Sequence, residues 1–466
     1  MEHIGEKMKI GNSKPLGDIL GDLWERIYDY TVGEQTFEVL SGSGTAEYLV
    51  VGGGGAGGSF GGGGGGGVIT GTKAVSIGQQ LKVYVGKGGC GIYYIVAEAG
   101  NGQNSYFDDI VSAGGGRGGG ASAGTVNHMP TIGASGGGGK GIDINGVGAA
   151  GIAGQGYAGG NGTSGGTQGG GGAGGGAGAV GGNAGATTGG VGGVGVASSI
   201  SGSSVYYGGG GGGGAYIYTS SGDHGDGGLG GGGRGGDHNT GQGLAGTANT
   251  GGGGGGSGYG ASGYPMNYDG PVPFGGSGIV IVRYLTGSLT ATGGTISTSG
   301  SYTIHTFTVG TNVTTLTISG LDGDTDEEYI LESKMVNGYN GVATANLKIN
   351  NDGGTNYGYQ YFDGTDSTAT AARGTAAFLN ALGYGTVLGG VSLTAFRIFA
   401  KSGFVRTVIN ERCGGISGTT VTEAIKFGQS WNNTADNITS LVITANQTGG
   451  LGVGSSFQLY RKSRRS

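Results

Sequence analysis

Proline is nearly absent from this chain, at 5 of 466 residues. Collagen therefore drops out, because its triple helix needs about 15–20% Pro/Hyp beside its glycines. Charge is scarce too: 11% of residues are charged, against roughly 25% in an average soluble domain. The net charge of -6 offers no basic footprint for nucleic acid. No apolar run approaches the roughly 18–20 residues that cross a bilayer, so no membrane insertion is expected. The N-terminus, MEHIGEKMKIGNSKPLG, lacks the apolar stretch of a secretory signal. The two cysteines, Cys90 and Cys413, lie far apart in segments of different composition and read as free thiols. Together these absences predict a soluble chain made in a cytosol.

What is present is glycine, 128 residues of it. Residues 52–278 hold 94 glycines in 227 positions, whereas residues 279–466 hold 27 in 188. So sharp a change predicts more than one domain. The expected division is an N-terminal anchor over residues 1–44, a glycine-rich domain over 45–285 and an ordinary β domain over 286–466.

In the first segment Pro15 stands where a helix can begin. Leu16, Ile19, Leu20, Leu23, Trp24, Ile27 and Tyr28 follow at helical spacing, with Asp18, Asp22, Glu25, Arg26 and Asp29 between them. The pattern predicts an amphipathic helix of about four turns. Its apolar face docks either on the chain's own next domain or in a larger assembly.

The glycine tract has ordered brackets. Glu47–Val51 at its start and Gly278–Tyr284 at its end are β-branched runs, and Leu81–Val85 alternates as a strand. The tract is expected to leave and re-enter one small sheet. From Gly136 to Val196 a three-residue period is visible: the three frames carry glycine at 14 of 21, 11 of 20 and 6 of 20 positions. Three residues per turn is the geometry of a polyproline-II-type helix, and glycine alone lets such helices pack closely. Ordering a glycine costs roughly 0.5–1 kcal/mol more than ordering an alanine. Only dense backbone hydrogen bonding, at roughly 0.5–1.5 kcal/mol per bond, matches that burden. The tract is therefore expected to be a hydrogen-bonded lattice of extended segments, with disorder as the alternative.

The run Glu47-Tyr48-Leu49-Val50-Val51 before Gly52–Gly55, then Gly61–Gly67 and Leu81–Val85, and finally Gly276–Tyr284 resembles the glycine-rich domain of bacteriophage tail and fibre proteins. The resemblance spans about half the chain. It implies polyglycine-type helices packed side by side, with variable loops exposed as in phage adhesins. Tyr206, Tyr207, Tyr216, Tyr218, His224 and His238 interrupt the glycines. Aromatic rings beside polar groups suit a carbohydrate-binding surface, and these six are the candidate ligand residues. The competing reading makes them caps of the lattice or contacts with a neighbouring chain.

Other motifs carry little. G-x-G-x-x-G is expected by chance at this glycine content and has no strand–helix context. Arg117 and Arg234 in isolated RGG triplets do not make an RNA-binding tract. Leu321–Glu328 is acidic but departs from the EF-hand pattern and reads as a solvated turn between strands. The five histidines show no metal-ligand spacing, and no nucleophile has a recognisable base. No metal, cofactor or enzymatic activity is expected.

Beyond residue 286 about ten short strand runs alternate with Gly, Asn and Asp turns, as in an all-β sandwich or jelly roll. Asp322–Leu331, Leu347–Asn350, Tyr357–Tyr359, Asn437–Thr444 and Phe457–Arg461 resemble a jelly-roll-like domain of phage virion proteins. The fold class expected is thus mainly β: an extended-helix lattice bracketed by a small sheet, then a sandwich. The two resemblances imply a virion protein assembled in the host cytoplasm, a homotrimeric tail fibre or tail-tip component. It would bind a host surface glycan and join other virion proteins through its N-terminal segment. The rivals are a head fibre, capsid decoration or tail connector without a receptor, and an ice-binding protein.

Overall fold

A computed structural model describes residues 24–90, 100–121, 127–141, 146–164, 168–217, 223–237, 241–258, 273–339, 343–365, 368–376, 378–385, 391–416 and 423–462. The fold is mainly β, as expected. The chain forms two compact units, one of residues 33–310 and one of residues 1–32 with 311–466. This differs from the division expected from composition: the glycine-rich unit runs on to residue 310, and the N-terminal segment is shared between the units.

In the glycine-rich unit the long strand Gln35–Val51 organises a sheet. Its last residues lie antiparallel to the strand Ile279–Leu285, with Val51 opposite Ile279 and Leu49 opposite Ile281. The tract therefore does leave and re-enter one sheet. Gln80–Tyr84 pairs with the start of the same long strand, and Tyr302–Phe307 flanks the closing strand. Alternate residues of the bracketing strands enter different cores. Val50, Val280 and Val282 pack with Phe37, Phe107 and Phe307, while Leu49, Val51, Ile279 and Ile281 pack with Ile200, Tyr207 and Ile304.

Between the brackets short ladders occur, such as Gln168–Gly170 with Ala215–Ile217, but the long glycine runs bond to one another through the backbone outside any ladder. Gly61–Gly67 shows the rule. The N–H groups of Gly61, Gly64 and Gly67 donate to the carbonyls of Gly119, Gly116 and Ala113; those of Gly62 and Gly65 donate to Gly172 and Gly175; those of Gly63 and Gly66 donate to Gly254 and Gly251. Its carbonyls accept from three further segments, through Gly138 and Ser135, Gly211, and Gly55 and Gly52. Donors thus repeat every three residues around a segment with six neighbours, and every N–H of the seven is bonded. Close approach explains the composition. A Cβ on Gly64 would lie 2.1 Å from the Ser135 carbonyl oxygen, and one on Gly65 would lie 2.2 Å from that of Gly208.

The second unit contains, among the described residues, a sheet of eight strands and a sheet of four, antiparallel throughout. Tyr329, Leu331, Phe396, Ile398, Trp431 and Phe457 of the larger sheet share one core with Leu347, Ile349, Leu441 and Ile443 of the smaller. The N-terminal expectation is corrected here. Trp24–Thr31 is a strand, not the end of a helix, and pairs antiparallel with Ser456–Lys462, Trp24 opposite Lys462 and Thr31 opposite Ser456. Ile27, Tyr28 and Tyr30 pack on the core. The earlier part of the expected helix, residues 15–23, lies outside the described residues.

The acidic stretch is, as expected, a turn between strands, here Thr315–Ser319 and Glu328–Val336. Gly323–Asp326 is a single helical turn capped by Asp322, whose carboxylate accepts from the Thr325 N–H. Asn437 Nδ2 donates to Asp322 Oδ1 at 2.8 Å, the Ser402 N–H to Asp324 Oδ1 at 2.6 Å, and the Tyr329 hydroxyl to Asp326 Oδ2 at 2.8 Å. These bonds hold the Asp322 and Asp324 carboxyls below their ordinary range. Asp322 is exposed and Asp324 half-buried, so these hydrogen bonds order a turn at the surface.

Candidate functional site

The three-residue repeat decides which side chains converge. Gly189 and Gly192 donate to the carbonyls of Asp223 and Asp226, and the Gly235 N–H donates to Gly225. The segment holding His224 therefore runs beside the segment holding Arg234. Phe60 and Lys140 are buried within the array, whereas at one place on its rim four polar side chains meet. Arg234 Nη1 lies 3.0 Å from His224 Nδ1 and donates to Asp237 Oδ2 at 3.2 Å. Asp237 Oδ2 is 3.7 Å from His224 Nδ1, and Asp226 Oδ1 is 3.6 Å from His224 Nε2.

Arg234 Nη1 also lies 3.5 Å from His224 Nε2, so the guanidinium stands against the ring and both ring nitrogens have a carboxylate near them. His224 is mostly covered, whereas the Asp226 side chain is 80% exposed. The rim thus presents a guanidinium, an imidazole N–H and two carboxylates within a few ångströms. That set can donate to and accept from neighbouring hydroxyl groups.

Of the other expected ligand residues, Tyr206 and Tyr207 lie on the strand Val205–Tyr207, paired with Val196–Ser198. Tyr206 faces solvent, 41% exposed. Tyr207 is turned into the core with Leu49 and Ile281, and burial pushes its phenol upward. It is therefore a packing residue, because strand alternation sends neighbours to opposite faces. Tyr216 lies in the strand Ala215–Ile217 opposite Gly169. Its side chain, and the whole of Tyr218 and His238, lie outside the described residues. Arg234 and Asp226 were missed from sequence. Arg234 looked like part of an isolated RGG triplet, and only the register of neighbouring glycine segments brings it to His224.

The glycine-rich domain family matches residues 30–285 of this chain. The chain belongs to that family. The match contains both bracketing strands, the whole glycine array and the His224–Arg234 rim. It stops short of the strands Leu289–Thr292, Thr295–Ser299 and Tyr302–Phe307, which complete the same sheet. No curated protein and no solved structure matches the chain.

Proposed function

We propose that this glycine-rich chain is a bacteriophage virion protein, a tail-fibre or tail-tip component that binds a host surface glycan and assembles as a homotrimer. The sequence resemblance to phage tail and fibre proteins supports the source. The observation that carries the binding role is the convergence of His224, Arg234, Asp226 and Asp237 on the rim of a backbone-bonded array. The three-residue donor repeat supports polyglycine-II-type helices as the array's geometry. An array whose backbone bonds to itself leaves ligand recognition to the side chains on its rim. Asp226 and Tyr206 are the exposed members. The N-terminal segment is the part proposed to join other virion proteins, its strand Trp24–Thr31 lying in the second unit's sheet.

A glycan array of bacterial lipopolysaccharides and capsular polysaccharides, probed with the full chain, tests this. Binding that is lost in Arg234→Ala and His224→Ala supports the role, and binding unaffected by both overturns the site. The second reading is a structural component of the head or tail with no receptor. The burial of Tyr207 favours it, since that ring serves packing. Failure to bind any glycan, with antibody label spread over capsids, would establish it.

A further inference from the structure

The three-residue repeat also orders the surface around His224. Along residues 223–229 exposure recurs at every third position: Asp223, Asp226 and Leu229 face solvent, whereas Gly225 and Gly228 are buried. The adjoining segment repeats the pattern with Thr188, Val191 and Val194 outward. The two segments run parallel and in register, since the N–H groups of Gly189, Gly192 and Gly195 donate to the carbonyls of Asp223, Asp226 and Leu229. Two outward rows therefore lie side by side on the rim. Carboxylates and a hydroxyl occupy one end, and the aliphatic side chains of Val191, Val194 and Leu229 hold the remainder.

The charge of this surface is one-sided. Arg234 supplies the cluster's guanidinium, and Asp237 already accepts from it at 3.2 Å. Asp223 and Asp226 then add negative charge beside a matched pair, and the Asp226 side chain is 80% exposed. An acidic sugar brought to these rows meets like charge, whereas a cationic group meets its complement. A single metal ion is the poorer fit. At about 3.1 Å per residue, Asp223 and Asp226 stand about 9 Å apart along the segment, too far to chelate one ion together. Separate cationic groups on one ligand chain suit that spacing. The aliphatic rows beside the carboxylates also call for an apolar face on the ligand, which a bare cation lacks.

We infer that the rim reads amino sugars carrying a free ammonium, within a linear glycan. One ammonium donates to Asp226 and the next along the glycan to Asp223, while the carbon-bearing faces of the sugar rings lie on Val191 and Leu229. In a β-1,4-linked chain alternate sugars turn the same way, so their amines recur along one side as the carboxylates do. The inference rests on the glycan-binding role proposed above and names the ligand's class.

Binding of the full chain to glucosamine hexasaccharide tests it, beside the N-acetylated hexasaccharide, which keeps the sugar backbone and lacks the charge. The measurement is made at about pH 6, where the carboxylates are ionised and the sugar ammonium persists. The expected result is an affinity about tenfold higher for the free amine, the size of two exposed ion pairs. Added salt should erase that preference in the unaltered chain. So should Asp223→Asn with Asp226→Asn, whereas Glu411→Gln, which removes a 66% exposed carboxylate from the other unit, should leave it intact. Equal or weaker binding of the free amine, or binding of acidic glycans alone, overturns the charge selection and leaves the glycan site standing. A preference that survives the double variant, or falls equally in Glu411→Gln, overturns its assignment to this rim. A chain that binds no glycan overturns the proposed function as well.

Discussion

Arg283 Nη2 lies 2.7 Å from Glu47 Oε2, joining the strand that closes the glycine tract to the strand that opens it. The guanidinium also donates from Nη1 to the Ser199 carbonyl at 3.0 Å and stands 4.4 Å from the centre of the Tyr302 ring. One side chain thus fastens both brackets and the neighbouring Val196–Tyr207 hairpin. A double-mutant cycle should give the Arg283–Glu47 pair a coupling of about 0.5–1 kcal/mol, the range of a partly exposed ion pair. Arg283→Ala should cost more than Glu47→Ala, because it also removes the carbonyl bond and the ring contact. Equal costs for the two, measured by denaturant unfolding, would contradict this arrangement.

The second prediction concerns which glycines are obligatory. Gly65→Ala would bring a Cβ to 2.2 Å from a carbonyl oxygen in a fully packed array, whereas a Cβ on Gly44 meets nothing nearer than 3.8 Å. Gly65→Ala should therefore cost about 3 kcal/mol or more, at the upper end for an overpacked site. Gly44→Ala should fall within about 0.5 kcal/mol of the parent. Thermal melting of the two single variants checks this, and comparable losses would show that packing is not what selects glycine.

Acid sensitivity of the glycine-rich unit should trace to His305. Its side chain is buried, Nδ1 is 2.8 Å from the Gly293 carbonyl oxygen, and Nε2 is 3.2 Å from the Tyr284 hydroxyl. The carbonyl can only accept, so Nδ1 carries the hydrogen and Nε2 accepts from tyrosine. Burial holds the imidazole below its ordinary value. A depressed folded value means that the unfolded chain takes up the proton first. The contribution to stability is then complete above the unfolded value of about 6.5 and is lost as pH falls through the folded one. Melting temperature should drop between about pH 7 and pH 5.5, above most carboxylate titrations, and the drop should shrink in His305→Gln. Identical pH slopes for parent and variant would exclude His305 as the cause.

The fourth prediction separates the two units. Arg406 is fully buried. Its guanidinium donates to the carbonyls of Ala400, Asn433 and Asp436, and it stands 5.2 Å from the centre of the Trp431 ring. Arg406→Leu would leave those carbonyls without their donor, at about 1–3 kcal/mol for a buried unsatisfied group. Unfolding followed through Trp431 should shift to lower denaturant, while a probe in the glycine-rich unit keeps its midpoint. Parallel shifts of both would show that the units unfold as one.

Much of this was legible in the sequence because it was local. The β-branched runs at Glu47–Val51 and Gly278–Tyr284 announced a sheet opened and closed around the glycines, and the pairing of Val51 with Ile279 agrees. The N-terminal strand was illegible for the opposite reason. Apolar residues from Leu16 to Tyr28 fit a helical period, but Trp24–Thr31 is rich in aromatic and β-branched residues, and its partner strand is Ser456–Lys462, at the other end of the chain. Local periodicity carries no trace of such a partner. The His224–Arg234 contact was hidden similarly, since nine glycine-rich residues separate the pair and only the register between Gly225 and Gly235 unites them. Tyr207 was misjudged because an aromatic beside glycine reads as rim until strand alternation is known.

The most direct test of the account is amide hydrogen exchange across Gly61–Gly67. Each of those seven N–H groups donates to a carbonyl of a different part of the chain, and the segment is enclosed by six others. Exchange should therefore require opening of the array, with protection as strong as in the Ile279–Leu285 strand. Exchange at the rate of an unstructured glycine peptide would contradict the hydrogen-bonded interior on which the rim site and its proposed role depend.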